Sequence, residues 1–405
     1  MASVAGDCTC TVYTLLLISA KTFMHATPTV ADITSGFDTG NIQVLDASDP
    51  TSIRLAIRPD TRSDHFQWFH FQAHGLQTGQ PHTFVLENAG RSSYPQAWQG
   101  YNAAASYDGE HWFRVPSNFD GQALRFTLAP EQPSVSFAYF EPYREARHLA
   151  LLARAEATPG VTLVAEGKSL EGRRIPLFRA GRPGPGKRKV WVIAQQHPGE
   201  HMAEWFMEGL VEALEQHEPW MQALLEQAEL YFVLNMNPDG AFHGHLRTNA
   251  AGMDLNRAWQ EPSTAQTPEV HFVLGQMDLH GVDLFVDAHG DEEIPYVFTA
   301  ACEGNPGYTP RIAGLEGRFR QALCNQTVDF QQTHGYTRDL PGMANMRLAC
   351  NAVGQRFDCL ALTLEMPFKD HLDAPAPSTG WSGARSRQLA KDLLQVVGTL
   401  VPELR

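Results

Sequence analysis

The chain has 405 residues, enough for two or three domains, or one large one, at roughly one to two hundred residues each. Hydrophobic residues make up 43% and charged residues 19%, which excludes disorder over most of the length. Lys and Arg number 31 against 45 Asp and Glu, a formal net charge of −14. That leaves no broad basic footprint for nucleic acid or an anionic membrane surface.

Six cysteines, at 8, 10, 302, 324, 350 and 359, are too few and scattered for a disulfide framework, and none forms a C-x-x-C pair. Reduced thiols in the cytoplasm are the simplest account. The apolar run Val12 to Ala20 falls short of the roughly 20 residues that a membrane helix needs, so no span is expected. Its length suits an export signal, but the residues ahead of it carry Asp7 and no Lys or Arg where a positive stretch is expected. Met24 is an alternative start.

Residues 1–36 are expected to form a poorly structured tail. From 37 to 143, short alternating or aromatic runs are separated by turns rich in Gly, Asp, Asn and Pro. The runs Ile42–Leu45, Ser52–Ile57, Phe66–Phe71, His82–Leu86 and Ser134–Phe140 read as strands, and the spacing predicts an antiparallel β-sandwich of about eight strands. Trp98, Tyr101, Tyr107 and Trp112 could form a binding face, although aromatic residues in a sandwich more often fill the core.

Arg144 to Ala157 carries apolar residues at helical spacing, so the boundary falls near 143 and a second domain spans 144–405. Beyond it the apolar runs Val190–Ala194, Leu230–Leu234, Val282–Val286 and Leu360–Leu364 alternate with helical segments such as Ala203–Gln216. This predicts an α/β domain, a mixed and mostly parallel sheet with helices on both faces.

Ligands of open α/β sheets gather at the carboxyl ends of the strands. Those ends lead into His197-Pro198-Gly199-Glu200-His201, Asn237-Pro238-Asp239-Gly240, Asp287-Ala288-His289-Gly290 and Glu365-Met366-Pro367. His197 and Glu200 are three apart, a spacing at which imidazole and carboxylate converge on one ion, and His289 adds a third ligand. Two His and one carboxylate leave the fourth position of a tetrahedral Zn²⁺ open, as hydrolysis requires. Any one of these histidines taken alone would be an ordinary loop or core residue; their convergence at strand ends makes the case. His197 to His201 also fits H-x-x-E-H, in which both His bind metal and Glu is the base. That motif needs an unbroken helix, and Pro198 and Gly199 oppose one. The helix is therefore expected to start near Glu200, with Glu200 as ligand and His201 as bystander.

Together, His197-Pro198-Gly199-Glu200, Asn237-Pro238-Asp239-Gly240, Arg247, Asp254-Leu255-Asn256-Arg257, His289 and Thr363-Leu364-Glu365 resemble the zinc metallocarboxypeptidase family. The likeness is to its cytosolic carboxypeptidase branch, which includes the tubulin deglutamylases and their bacterial relatives. Carboxypeptidase A, of that family, has a two-His, one-Glu zinc site. The resemblance covers about 145–405, and the branch carries a β-sandwich ahead of the catalytic domain. It implies one zinc per chain and hydrolysis of the C-terminal residue from a peptide or protein tail, with acidic tails as one candidate class.

Hydrolysis needs a carboxylate that takes a proton from water and passes it to the leaving amine, and Glu365 is the candidate base. The resemblance implies Arg247 as the cation for the developing oxyanion. An exopeptidase must also hold a free α-carboxylate, which suits Asn256 and Arg257, with Arg247 beside them. Tyr336 is a candidate for the mobile substrate-capping Tyr of many relatives. Relatives have Leu-His-Gly-His-like sequence around the third ligand, whereas this chain has His289-Gly290-Asp291-Glu292, whose acids alter the field of the pocket. His243 and His245 are expected in the site wall. Arg338, Arg347, Arg356 and Lys369 are candidate partners for an acidic side chain. Two other readings are an aspartoacylase or succinylglutamate desuccinylase type of amidohydrolase, which the sandwich argues against, and an inactive peptide-binding protein, which Glu365 argues against. Oligomeric state is not legible.

Overall fold

A computed structural model describes residues 1–2 and 31–404. Cys8, Cys10, the run 12–20, Met24 and most of the expected tail lie outside the described residues.

The first unit contains β1 (Asp32–Thr34), β2 (Gln43–Asp46), β3 (Ile53–Ala56), β4 (His70–His74), β5 (His82–Leu86), β6 (Ala103–Ser106), β7 (Trp112–Val115), β8 (Ser117–Phe119), β9 (Leu124–Leu128) and β10 (Ser134–Ala138). They form two five-stranded sheets, ordered β1-β4-β10-β6-β7 and β2-β3-β5-β9-β8. Alternation explains their seating: Ile53 and Leu55 of β3, and Leu124 and Phe126 of β9, are buried while Arg54 and Arg125 face out. Rings from both sheets meet between them, Phe84 with Phe137 at 4.6 Å and Phe126 with Phe137 at 5.3 Å.

Three details differ from the sequence reading. There are ten strands among the described residues rather than eight, because β1 and β8, three residues each, are too short for periodicity to register. β1 lies within the expected tail and is held by pairing with β4, a nonlocal partner with no local signature. β3 and β5 pair in parallel, the exception among the strand pairs of these two sheets. Trp98, Tyr101 and Trp112 are buried in the core, so they offer no binding face.

The second unit follows as α1 (Glu145–Ala157), β11 (Val161–Lys168), β12 (Arg174–Ala180), β13 (Arg188–Ala194), α2 (His201–Glu215), α3 (Pro219–Gln227), β14 (Ala228–Val233), α4 (Pro238–His243), α5 (Pro268–His280), β15 (Leu284–Asp291), β16 (Phe298–Ala301), α6 (Pro310–Gln326), α7 (Ala349–Phe357), β17 (Leu360–Pro367) and α8 (Gly383–Leu400). The sheet order is β11-β12-β14-β13-β15-β17-β16. The central pairs β14/β13, β13/β15 and β15/β17 are parallel, and the outer pairs antiparallel. β14, β15 and β17 are buried along their whole length because helices cover both faces, which is why they read as continuous apolar runs. Gly209 lets α2 meet α8: a Cβ there would stand 2.1 Å from the Arg387 carbonyl oxygen.

One apolar core runs through both units. Tyr139 stacks on Phe368 at 4.5 Å, and the Arg114 guanidinium donates to the carbonyls of Thr379, Phe368 and Trp381. Asn41 donates to the Gly244 carbonyl at 2.9 Å. The sandwich is thus packed onto the α/β unit beside the strand ends.

Candidate active site

β13 ends at Ala194, and Gln195 takes φ 58°, a left-handed turn that its side chain secures by donating to the Pro198 carbonyl at 2.9 Å. Gly199 presses against the Leu246 backbone, whose oxygen would be 2.8 Å from a Cβ. Helix α2 then starts at His201 with Glu200 as its N-cap, so the H-x-x-E-H arrangement is not formed. His201 is turned away: it accepts from the Tyr143 backbone N–H at 3.0 Å and packs 4.2 Å from the Trp68 ring.

His197, Glu200 and His289 converge, with one ligand atom from each lying within 4.8 Å of the others. The Glu200 oxygens divide between the rings, Oε1 2.6 Å from His197 Nδ1 and Oε2 2.7 Å from His289 Nδ1. Each imidazole is held from behind. His197 Nε2 is 3.1 Å from Asp254 Oδ1, and His289 Nε2 is 2.9 Å from Asp287 Oδ2. Asp287 also accepts from Gln196 Nε2 at 2.6 Å, whose amide oxygen accepts from Trp259 Nε1 at 2.7 Å. Carboxylates behind both rings fix their orientation, as in metal-binding histidines. The neighbouring glycine leaves room for the Met202 side chain, whose sulfur would be 2.4 Å from a Cβ on Gly290.

Glu365 reaches the same place from β17, where it pairs in register with His289. Its Oε1 is 3.1 Å from the Tyr336 hydroxyl, and its buried Oε2 has no hydrogen-bond partner among the described residues. Tyr336 also bonds Asp291 Oδ2 at 2.7 Å, so the irregular segment before α7 is brought over the site. Arg247 donates through Nε to Asp254 at 2.8 Å and through Nη1 to the Tyr94 hydroxyl at 2.6 Å. Asn256 Nδ2 lies 3.5 Å from His289 Nε2, and its Oδ1 accepts from the Ala349 N–H at 2.8 Å. Arg257 is partly exposed and sits 4.0 Å from Asp254. All seven residues singled out from the sequence are therefore gathered; six of them line or adjoin a cavity of about 910 Å³, with His289 buried beneath it.

Burial pushes the Glu365 carboxyl well above its ordinary range, with His289 opposing and the charges of Glu200 and Asp291 adding. Burial likewise raises Glu292, reinforced by Glu200 and Asp291. For Asp254 burial acts upward, but His197, Arg247 and Arg257 outweigh it and hold the carboxylate well below the usual range. Carboxyl groups shifted in opposite directions around one cavity mark it as a candidate functional site.

The family model for zinc carboxypeptidases matches residues 149–291, and the model for the cytosolic carboxypeptidase N-terminal domain matches 33–140. A solved metallo-carboxypeptidase from Pseudomonas aeruginosa, in complex with (2-guanidinoethylmercapto)succinic acid, is 61% identical, with TM-score 0.91 over 92% of this chain and 100% of that one. The chain belongs to the zinc carboxypeptidase family. A second solved metallo-carboxypeptidase, from Burkholderia cenocepacia, is 42% identical with TM-score 0.89, covering 92% of this carboxypeptidase and 99% of that chain. Human cytosolic carboxypeptidase 1 is 28% identical over 323 residues, 66% of this chain but only 26% of its own length. Family membership sets aside the small-acyl amidohydrolase reading.

The carboxypeptidase site also contains residues that the sequence did not single out: Tyr94, Asp287, Gln196 and Arg320. Asp287 had a signal, because it lies two residues before His289 on the same strand face. Tyr94 comes from the sandwich and had none. His243 and His245 are outside the ligand cluster, His243 bonded to Glu171 and His245 to Thr61 and Thr248.

Proposed function

We propose that the protein removes the C-terminal residue of peptides or protein tails, with one zinc held by His197, Glu200 and His289 and Glu365 as general base. The observation that carries this is the three-ligand convergence with the unpartnered Oε2 of Glu365 on the adjoining strand. The donor set suits zinc: two imidazoles, each backed by a carboxylate, and one carboxylate. Zinc bound there supplies Lewis acidity, which acidifies water and polarises the scissile carbonyl.

Glu365, with its carboxyl buried and one oxygen free, accepts the proton from the attacking water and delivers it to the departing amine. Arg247 turns its remaining nitrogen, Nη2, to the developing oxyanion. Asn256 and Arg257 hold the α-carboxylate of the terminal residue by directional hydrogen bonds. Tyr336 covers the terminal residue.

For an acidic terminal side chain the proposed cation is Arg320 on the cavity wall, which pairs with Glu316 at 3.0 Å and donates to the Thr299 carbonyl at 2.9 Å, while its buried Nε has no partner among the described residues. The four candidates named from the sequence are engaged as well: Arg338 by Glu303 and Glu316, Arg356 by Asp278, Arg347 by the Arg257 carbonyl, and Lys369 by two backbone carbonyls. Cytoplasmic residence fits the free thiols of Cys302, Cys324, Cys350 and Cys359, and no helix among the described residues is long and apolar enough to cross a membrane.

The test is mass spectrometry of a degenerate peptide set incubated with the enzyme as purified, after chelation, and after zinc is returned. Loss of single C-terminal residues, abolished by chelation and restored by zinc, is expected. Cleavage that survives chelation, or internal cleavage, rejects the reading.

A further inference from the structure

The N-terminal sandwich reaches the site at two points, and both act on Arg247. Asp60 is buried and accepts from the backbone N–H groups of Leu246, Arg247 and Thr248 at 2.6, 2.8 and 2.9 Å, and from the Thr248 hydroxyl at 3.0 Å. One carboxylate thereby fixes the backbone on both sides of Arg247. Tyr94 takes hold of the side chain, accepting from Nη1 at 2.6 Å. The backbone of Tyr94 is itself clamped. Fully buried Gln67 accepts from the Tyr94 N–H at 2.8 Å, donates to its carbonyl at 3.1 Å, and is braced by the Tyr139 hydroxyl at 2.9 Å.

With Nε on Asp254 and Nη1 on Tyr94, two of the three guanidinium nitrogens are fixed. Nη2 is the nitrogen without a hydrogen bond among the described residues. A planar guanidinium pinned at two nitrogens has lost the torsional freedom of a long side chain, so the third meets developing charge without reorganisation. Without the Tyr94 hydroxyl, Asp254 alone would hold the group, and it could swing about that contact.

We propose that Tyr94 is a positioning residue for Arg247, so that the N-terminal unit completes the active site rather than merely standing beside it. This rests on the role given to Arg247 above. It assigns the sandwich work in catalysis that its separate sheets do not suggest.

The test is a double-mutant cycle of Tyr94→Phe and Arg247→Ala, with steady-state rates on one peptide and zinc content measured for each. Phe keeps the ring and its packing and removes only the hydroxyl. Tyr94→Phe should lower kcat about tenfold, the scale of one hydrogen bond to a charged group, with KM within about twofold. Zinc content should stay the same. In the Arg247→Ala background the same change should add less than about twofold, because the group it positions is gone. A tenfold loss persisting in that background would mean that Tyr94 acts on substrate directly and would overturn the proposal. So would an unchanged kcat for Tyr94→Phe when Arg247→Ala is costly, which leaves the role of Arg247 standing. A silent Arg247→Ala would remove both.

Discussion

The two walls of the cavity are built differently. On one, His289 and Glu365 lie on strands β15 and β17, His197 and Glu200 follow β13, and all four are buried. Each ring there has a carboxylate behind it and a closely packed glycine within two residues, Gly199 or Gly290. On the other wall, residues 331–348 run without helix or strand, and Leu340 and Met343 are 72% and 71% exposed. Strand ends fix the buried ionisable groups, and an irregular segment lines the opposite side of the cavity. Substitutions on the two walls should therefore differ in scale and in kind.

The largest effect is expected at the base. Glu365→Gln keeps the shape and hydrogen bonding to Tyr336 but cannot accept a proton, so kcat should fall by roughly 10²–10⁴ with zinc content unchanged. Normal rates in that variant would reject the assignment. One step behind the ligands, Asp287→Asn should weaken zinc affinity about 10- to 100-fold by loosening His289, measured by competition with a chelator. Retained affinity would mean that the strand alone orients the ring.

Docking of the terminal carboxylate comes next. Arg257→Ala should lower kcat/KM on free-acid peptides roughly tenfold or more while sparing C-terminally amidated ones, since the charge-assisted contact exists only with the free acid. Equal losses on both would contradict the role. The smallest effect belongs to the irregular wall: the pair Leu340→Ser and Met343→Ser should change unfolding free energy by less than about 0.5 kcal/mol, because little apolar surface is buried there. A large destabilisation would erase the contrast between the walls.

The same contrast decides what could be read from the chain. His197, Glu200, His289 and Glu365 were legible because each follows an apolar run at a fixed short distance, and a parallel sheet brings such ends together. Pro198 and Gly199 gave the helix start at His201 for a local reason, their opposition to helix. Tyr94, Asp60 and Arg320 were not legible. They come from other elements, and nothing in their neighbourhoods marks them. β1 and the parallel β3/β5 pair escaped similarly, since strand partners far along the chain decide them. The aromatics of the sandwich could be read only as core or face, and the packing of Trp98 and Tyr101 against Tyr139 made them core.

The central claim is that one zinc is gripped through the inward nitrogens of two rings and the carboxylate between them. Diffraction from zinc-loaded crystals on both sides of the zinc absorption edge tests it most directly. The account predicts one anomalous peak per chain at roughly 2.0–2.2 Å from His197 Nδ1, His289 Nδ1 and a Glu200 oxygen. A peak elsewhere, or one approached through the Nε2 atoms that now face Asp254 and Asp287, would contradict it.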